Sequence, residues 1–177
     1  MAQSQLQAHD PAIINIISVF DTKAILKVGK STDPNKPGGL NHQNIYMIVN
    51  SGNLVSYQAS GDLVVKAKVN DLIYWRAQSL TVNTADTVIF NNFVFDVEII
   101  EKPRLVVTRP KIAVPDTKDP LKYKFETVPD VFYNSVVREI GQSAYKVYFY
   151  IVYENDSGAQ AVSYYWWDPK VVVNDIN

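Results

Sequence analysis

Tyr145-Lys146-Val147-Tyr148-Phe149-Tyr150-Ile151-Val152-Tyr153-Glu154 is the stretch whose reading decides the fold. Every odd position is apolar or aromatic, whereas the even positions mix Lys146 and Glu154 with Tyr148, Tyr150 and Val152. A period of two assigns the odd set to the core face of a β-strand and the even set to an amphipathic, partly wet face. Asn155-Asp156-Ser157-Gly158 turns the chain, and residues 161–167 return as the partner strand, ending in Tyr164-Tyr165-Trp166-Trp167.

Outward from this hairpin the same β signature recurs. Val, Ile, Thr, Tyr and Phe dominate, and turn residues return at short intervals. Residues 13–20 read as the first strand. Asp21-Thr22 offers a helix N-cap, so one short helix is expected over residues 23–27. Residues 31–44, with Pro34, Pro37, Gly38 and Gly39, read as a loop. Three strand pairs are expected: residues 45–49 with 54–59 across Asn50–Asn53, residues 63–69 with 72–78 across Asn70-Asp71, and residues 87–90 with 94–100 across Asn91-Asn92. Five of the nine prolines lie from Pro103 to Pro129, so residues 101–122 read as a long Pro-rich surface connection with an edge strand at residues 105–108. The basic residues there are interleaved with Asp116, Asp119 and Glu126, which suits a solvated loop better than a nucleic-acid surface. The expected architecture is one all-β domain over residues 1–177, with residues 1–12 flexible. It is an antiparallel β-sandwich or jelly roll with one short helix after the first strand.

Composition narrows the function. The chain has 177 residues, 17 Lys and Arg against 18 Asp and Glu, and a net charge of -1. That balance supplies no general attraction to nucleic acid or an anionic membrane, and it removes the self-repulsion that keeps proteins apart. With no cysteine, disulfides, thiol catalysis and Cys-ligated zinc are excluded. The polar first ten residues lack a secretory pattern, and no apolar run is long enough for membrane insertion. The expected compartment is the cytoplasm.

Chemical motifs are sparse. The histidines are His9, in the polar start, and His42, at the end of the Gly-rich loop. No nucleophile elbow, phosphate loop or His-based metal triad can be assembled, so no enzyme activity is expected. The turn at Asn155, Asp156 and Ser157 groups side-chain oxygens of the kind calcium prefers, although such turns also use Asn and Asp simply for their local hydrogen bonds. Asp168, Asn174 and Asp175 add further loop oxygens.

Asn70-Asp71-Leu72-Ile73-Tyr74-Trp75-Arg76-Ala77-Gln78-Ser79-Leu80 resembles the "GDxIxWRxxSL" signature of the PixA/AidA inclusion-body protein family of Gram-negative bacteria. In the same order, His42 with Ile45-Tyr46-Met47-Ile48 resembles that family's His and "YMI" strand, Ser60-Gly61-Asp62-Leu63 its "GxGDL" turn, and Tyr164 to Pro169 its terminal "Y-x-W-D-P" strand. The resemblance spans residues 13–173. It implies an all-β sandwich without known enzymatic activity, whose founding members accumulate in cytoplasmic crystalline inclusions or respond to quorum sensing. This chain departs from the methionine-rich founding type, having only Met1 and Met47. Trp75, Arg76, Trp167 and Asp168 read as residues that maintain the fold, with Arg76 paired to Asp62 or Asp71.

Two functions from different classes follow. One is a non-enzymatic inclusion-body protein that self-associates as a homo-oligomer. The alternative is a soluble jelly-roll lectin that binds a glycan, with calcium as its cofactor. Residues 153–158 are faintly similar to the calcium-site segment of galactose-binding bacterial lectins. The candidate carbohydrate site is His42, Asn155 and Asp156, and the candidate calcium ligands are Asn155 and Asp156.

Overall fold

The computed structural model describes residues 10–81 and 86–173. Most of the expected flexible start, His9, Asn174 and Asp175 lie outside the described residues. Ala12, within the segment expected to be flexible, is held: its N–H donates to Asp71 Oδ1 (3.0 Å), and its carbonyl accepts from Leu72 N (2.9 Å).

The chain runs through β1 (Ile13–Phe20), α1 (Thr22–Val28), β2 (Gly38–Gly39), a 3-10 turn (His42–Asn44), β3 (Ile45–Ile48), a second 3-10 turn (Ser51–Asn53), β4 (Leu54–Ser56), β5 (Val64–Ala67), β6 (Leu72–Ser79) and β7 (Thr87–Phe95). It continues through β8 (Arg104–Thr108), β9 (Lys111–Pro115), β10 (Tyr123–Thr127), β11 (Asp130–Val136), β12 (Gly141–Glu154), β13 (Gln160–Trp167) and β14 (Lys170–Val173). The fold is mostly β, with one α-helix among the described residues. As the sequence suggests, that helix follows the first strand, and Asp21 caps it by accepting from Ala24 N at 3.0 Å.

One sheet has the order β3-β1-β6-β11-β8. A second has the order β2-β13-β12-β14-β5-β4, with β7 added on β12, and β9 and β10 pair as a separate ribbon. The long strand β12 organises the second sheet. It pairs with β7 along one side, and with β13 and then β14 along the other. Its odd residues from Tyr145 to Tyr153 are all buried, as its alternation predicts.

The two larger sheets share one core. Phe20 of β1 meets Phe149 of β12 (ring centroids 4.7 Å) and Trp167 of β13 (5.3 Å, edge to face). Trp75 of β6 is buried, and its Nε1 donates across the core to Tyr145 Oη at 3.2 Å. That hydrogen bond satisfies a polar group that burial would otherwise strand.

The pairing departs from the sequence expectation in four ways. First, the sheets are mixed rather than antiparallel: β1 pairs with β6, β13 with β2, and β14 with β5, all in parallel. Second, β3 and β4 do not form a hairpin, nor do β5 and β6. In both cases the turn carries the chain from one sheet to the other. Asn70 turns the second corner at φ +77°, and Asp71 accepts there from Lys68 N at 2.8 Å. Third, Asn91 is not a turn but the extra residue of a bulge inside the continuous strand β7.

Fourth, the Pro-rich connection is itself β structure. The edge strand expected at residues 105–108 is β8, which pairs with β11 up to Thr108↔Asp130. Val128 N then bonds Pro110 O at 3.2 Å, and the pairing resumes as β9–β10 from Lys111↔Thr127 to Pro115↔Tyr123. The result is one long hairpin whose outer half, β9–β10, projects as an arm.

If Phe149 bridges the sheets, Phe149→Ala should lower the unfolding free energy by about 3–5 kcal/mol. Tyr148→Ala, on the opposite face of β12, should cost about 1 kcal/mol or less. Urea unfolding followed by tryptophan fluorescence separates the two.

Candidate functional site

The second sheet splits where β13 ends. Pro169 has no N–H to offer a ladder, and the strand resumes as β14. On the outer side β2 follows β13 and β5 follows β14, leaving a gap between them. His42 stands three residues after β2, Asp62 two residues before β5, and Asp168 at the break itself. The split therefore brings together three residues that are distant in sequence.

His42 lies between the two carboxylates. Its Nδ1 bonds Asp62 Oδ1, and its Nε2 bonds Asp168 Oδ1 at 2.9 Å. A ring that donates from both nitrogens is an imidazolium. Partial burial pulls its pKa down, but the hydrogen bonds to Asp168 and Asp62 and their charges outweigh this. The pKa ends above the ordinary imidazole value of 6.5. Gly61 makes the approach possible: a Cβ there would fall 2.8 Å from His42 Cβ and 2.9 Å from its backbone. Asn41 caps the 3-10 turn that presents the ring, accepting from Gln43 N at 3.3 Å.

Tyr57, Val64, Pro169 and Lys170 complete a cavity of about 430 Å³ around the triad. Chemically it is a polar recess with two carboxylates, one imidazolium and one ammonium. Because the carboxylates flank the ring from opposite sides, they do not converge with it on a common point. Among the described residues, no group of three or more His, Asp and Glu side chains is arranged to hold a metal ion. With both ring nitrogens engaged, His42 has no free nitrogen to take a proton from a substrate.

The other expected site residues lie elsewhere. Asn155 and Asp156 sit in the turn between β12 and β13, whereas Asp168 follows the far end of β13, roughly 25 Å away at the rise of a strand. The structure therefore does not bring His42 together with Asn155 and Asp156. Asn155 Oδ1 accepts from Ser157 N (3.0 Å), Ser157 Oγ (2.7 Å) and Ala159 N (3.0 Å), so it ties its own turn. Asp168, expected to be structural, is a partner of His42, and so is Asp62, which the sequence reading offered only as a partner for Arg76. The available signal was that His42, Asp62 and Asp168 each belong to a different family-like stretch.

Arg76 also has a different partner from the two expected. Because β6 lies between β1 and β11, the guanidinium meets residues of those strands. It donates to Asp130 through Nε (3.1 Å) and Nη2 (2.7 Å), and to Asn15 Oδ1 through Nη1 (2.6 Å). It also lies 4.5 Å above the Phe132 ring. Trp75 and Trp167 are both fully buried.

A family model described as PixA, inclusion body protein, matches residues 12–173. The chain belongs to the PixA inclusion body protein family. Its fold is similar to the crystal structure of a PixA inclusion body protein from Burkholderia cenocepacia J2315. That match has a TM-score of 0.78 and 16% identity, and covers 96% of this chain and 99% of the other. The solution structure of amebosin aligns at 12% identity over 78% of this chain and 99% of the other, with a TM-score of 0.23, too low for a shared fold. No curated protein sequence matches the chain. Among the described residues, no helix is long and apolar enough to cross a membrane. In this PixA-family chain, His42, Asp62 and Asp168, each from a stretch that resembles a family motif, meet at one point.

The raised pKa of His42 has a definite sign in stability. The two carboxylates hold the protonated form, so the stabilisation is complete below about pH 6.5 and is lost as pH rises through the raised value. His42→Gln should lose about 0.5–1 kcal/mol near pH 6, and the gap to the natural protein should narrow by about pH 8.5. Urea midpoints measured across that range check the sign.

Proposed function

We propose that the chain is a non-enzymatic, cytoplasmic inclusion-body protein whose two facing sheets form a β-sandwich, and that it assembles with copies of itself. The supporting observation is the arm. On or beside β10, Leu121 is 96% exposed, Tyr123 68% and Phe125 65%, and all five residues of β10 are exposed. Tyr123 and Phe125 meet edge to face at 5.6 Å, forming one aromatic surface. A two-stranded ribbon has no layer beneath it to cover such side chains and is marginal on its own, so the surface gains by burial against another molecule.

Net charge supports the same reading, because a formal charge of -1 leaves little repulsion between copies. The chain has no cysteine, so the association must rest on non-covalent packing. A chain that displays apolar aromatics on a projecting arm and carries almost no net charge suits a protein that accumulates in a condensed body.

Sedimentation velocity tests this directly. The natural protein should sediment as an oligomer at about 10–100 μM. Tyr123→Ser with Phe125→Ser should be largely monomeric, with thermal unfolding close to that of the natural protein. A natural protein that stays monomeric throughout this range contradicts the reading.

A further inference from the structure

We propose that the β9–β10 arm of one copy seats in an apolar cleft of a second copy, whose own arm seats in the first. This reciprocal exchange rests on the self-association reading and specifies its contact. The cleft has a volume of about 550 Å³, and its lining includes Trp75, Ile89, Phe90, Leu105, Val131 and Tyr133. Among the described residues, no charged side chain lines it.

The cleft arises from uneven sheet coverage. Register places Trp75, Tyr133, Leu105, Val131 and Val107 on one face of the first sheet, the face that packs on the core. Trp75 is buried there. Towards the β8 edge, however, Leu105 is 57% exposed, Val107 56% and Val131 54%. The inner face thus continues beyond what the second sheet covers.

Chemistry and charge match the arm to this cleft. Register places Tyr123 opposite Pro115 and Phe125 opposite Ala113, so one face of the arm is wholly apolar at these positions. Residues 109–127 carry five basic residues (Arg109, Lys111, Lys118, Lys122 and Lys124) against three acidic ones (Asp116, Asp119 and Glu126), a net +2. The whole chain is -1, which leaves -3 on the remainder. Arm and body therefore attract between copies.

Topology makes the partner a second copy. The arm continues the β8–β11 ladder outward through the Val128–Pro110 bond, away from the cleft beside its own root. It cannot fold back without breaking that ladder. Size favours a reciprocal arrangement. Leu121, Tyr123 and Phe125 offer roughly 450 Å². A single seat falls short of the roughly 800 Å² per partner of a stable interface, whereas giving one arm and receiving another approaches it. Such an exchange is isologous, as in most homodimers.

Absence of cysteine makes the test clean. Ala113→Cys marks the arm and Val131→Cys the cleft; both positions are exposed. An equal mixture of the two variants, mildly oxidised, should give a disulfide-linked dimer in about ten-fold excess over the dimers formed by either variant alone. The double variant should give a dimer closed by two disulfides, with no ladder of longer products. If the Ala113→Cys variant cross-linked mainly to itself, the arms would pair with one another, overturning the seat while leaving self-association intact. A ladder from the double variant would overturn reciprocity. Absence of any cross-link from a protein that sediments as an oligomer would overturn the seat, whereas a monomer by sedimentation would remove both readings.

Discussion

The meeting of Phe20, Phe149 and Trp167 is the contact on which the rest of the molecule depends. One ring comes from the first sheet and two from the second, so their burial joins the layers. The contact exists because β12 holds a strict two-residue period over 14 residues, long enough to carry β7 on one side and β13 and β14 on the other. Strands on both flanks inherit their register from it. A slip of one residue would turn Phe149 to solvent and Tyr148 inward, so the hydrophobic pattern fixes the second sheet as a unit.

From that frame follows the place of the polar cluster. A flat sheet would run β13 directly into β14, but Asp168-Pro169 interrupts it, and the outer strands part at the same point. His42 bridges the opening by bonding carboxylates that belong to the two sides. The arrangement has the character of a clasp: a charged hydrogen-bonded group closes a gap where backbone pairing fails. Its cavity combines the charged groups of His42, Asp62, Asp168 and Lys170 with Tyr57, Val64 and Pro169. At the opposite edge of the fold, the exposed arm and cleft are apolar. The chain thus separates a charged clasp from an exposed apolar surface.

Much of the fold was legible in local pattern. The first strand, the helix with its Asp21 cap, the alternation of β12, the return strand β13 and the edge strand β8 all come from neighbours along the chain. Partner assignment did not. Asn50–Asn53 and Asn70-Asp71 have the chemistry of hairpin turns, yet each carries the chain between sheets, because a turn sequence constrains its own backbone and not the strand that follows. Pro103 to Pro129 looked like a connection for a related reason. Prolines weaken a ladder, but Pro110, Pro115 and Pro129 stand at the joints and ends of an arm in which residues 111–115 still pair with residues 123–127.

For the candidate site the division is sharper. His42, Asp62 and Asp168 were visible as parts of three separate family-like stretches, but their meeting was not, nor was the pairing of Arg76 with Asp130. The sequence by itself determined which residues favour extended backbone, which faces are apolar, and the family to which the pattern belongs, since these depend on side-chain size, polarity and order. Only the tertiary structure decided which strands became neighbours, which carboxylates reached His42, and which apolar side chains were left uncovered. Those outcomes depend on distances between residues far apart in the chain, such as His42 and Asp168, 126 positions apart, which the packing of the two sheets sets and no local stretch of chain encodes.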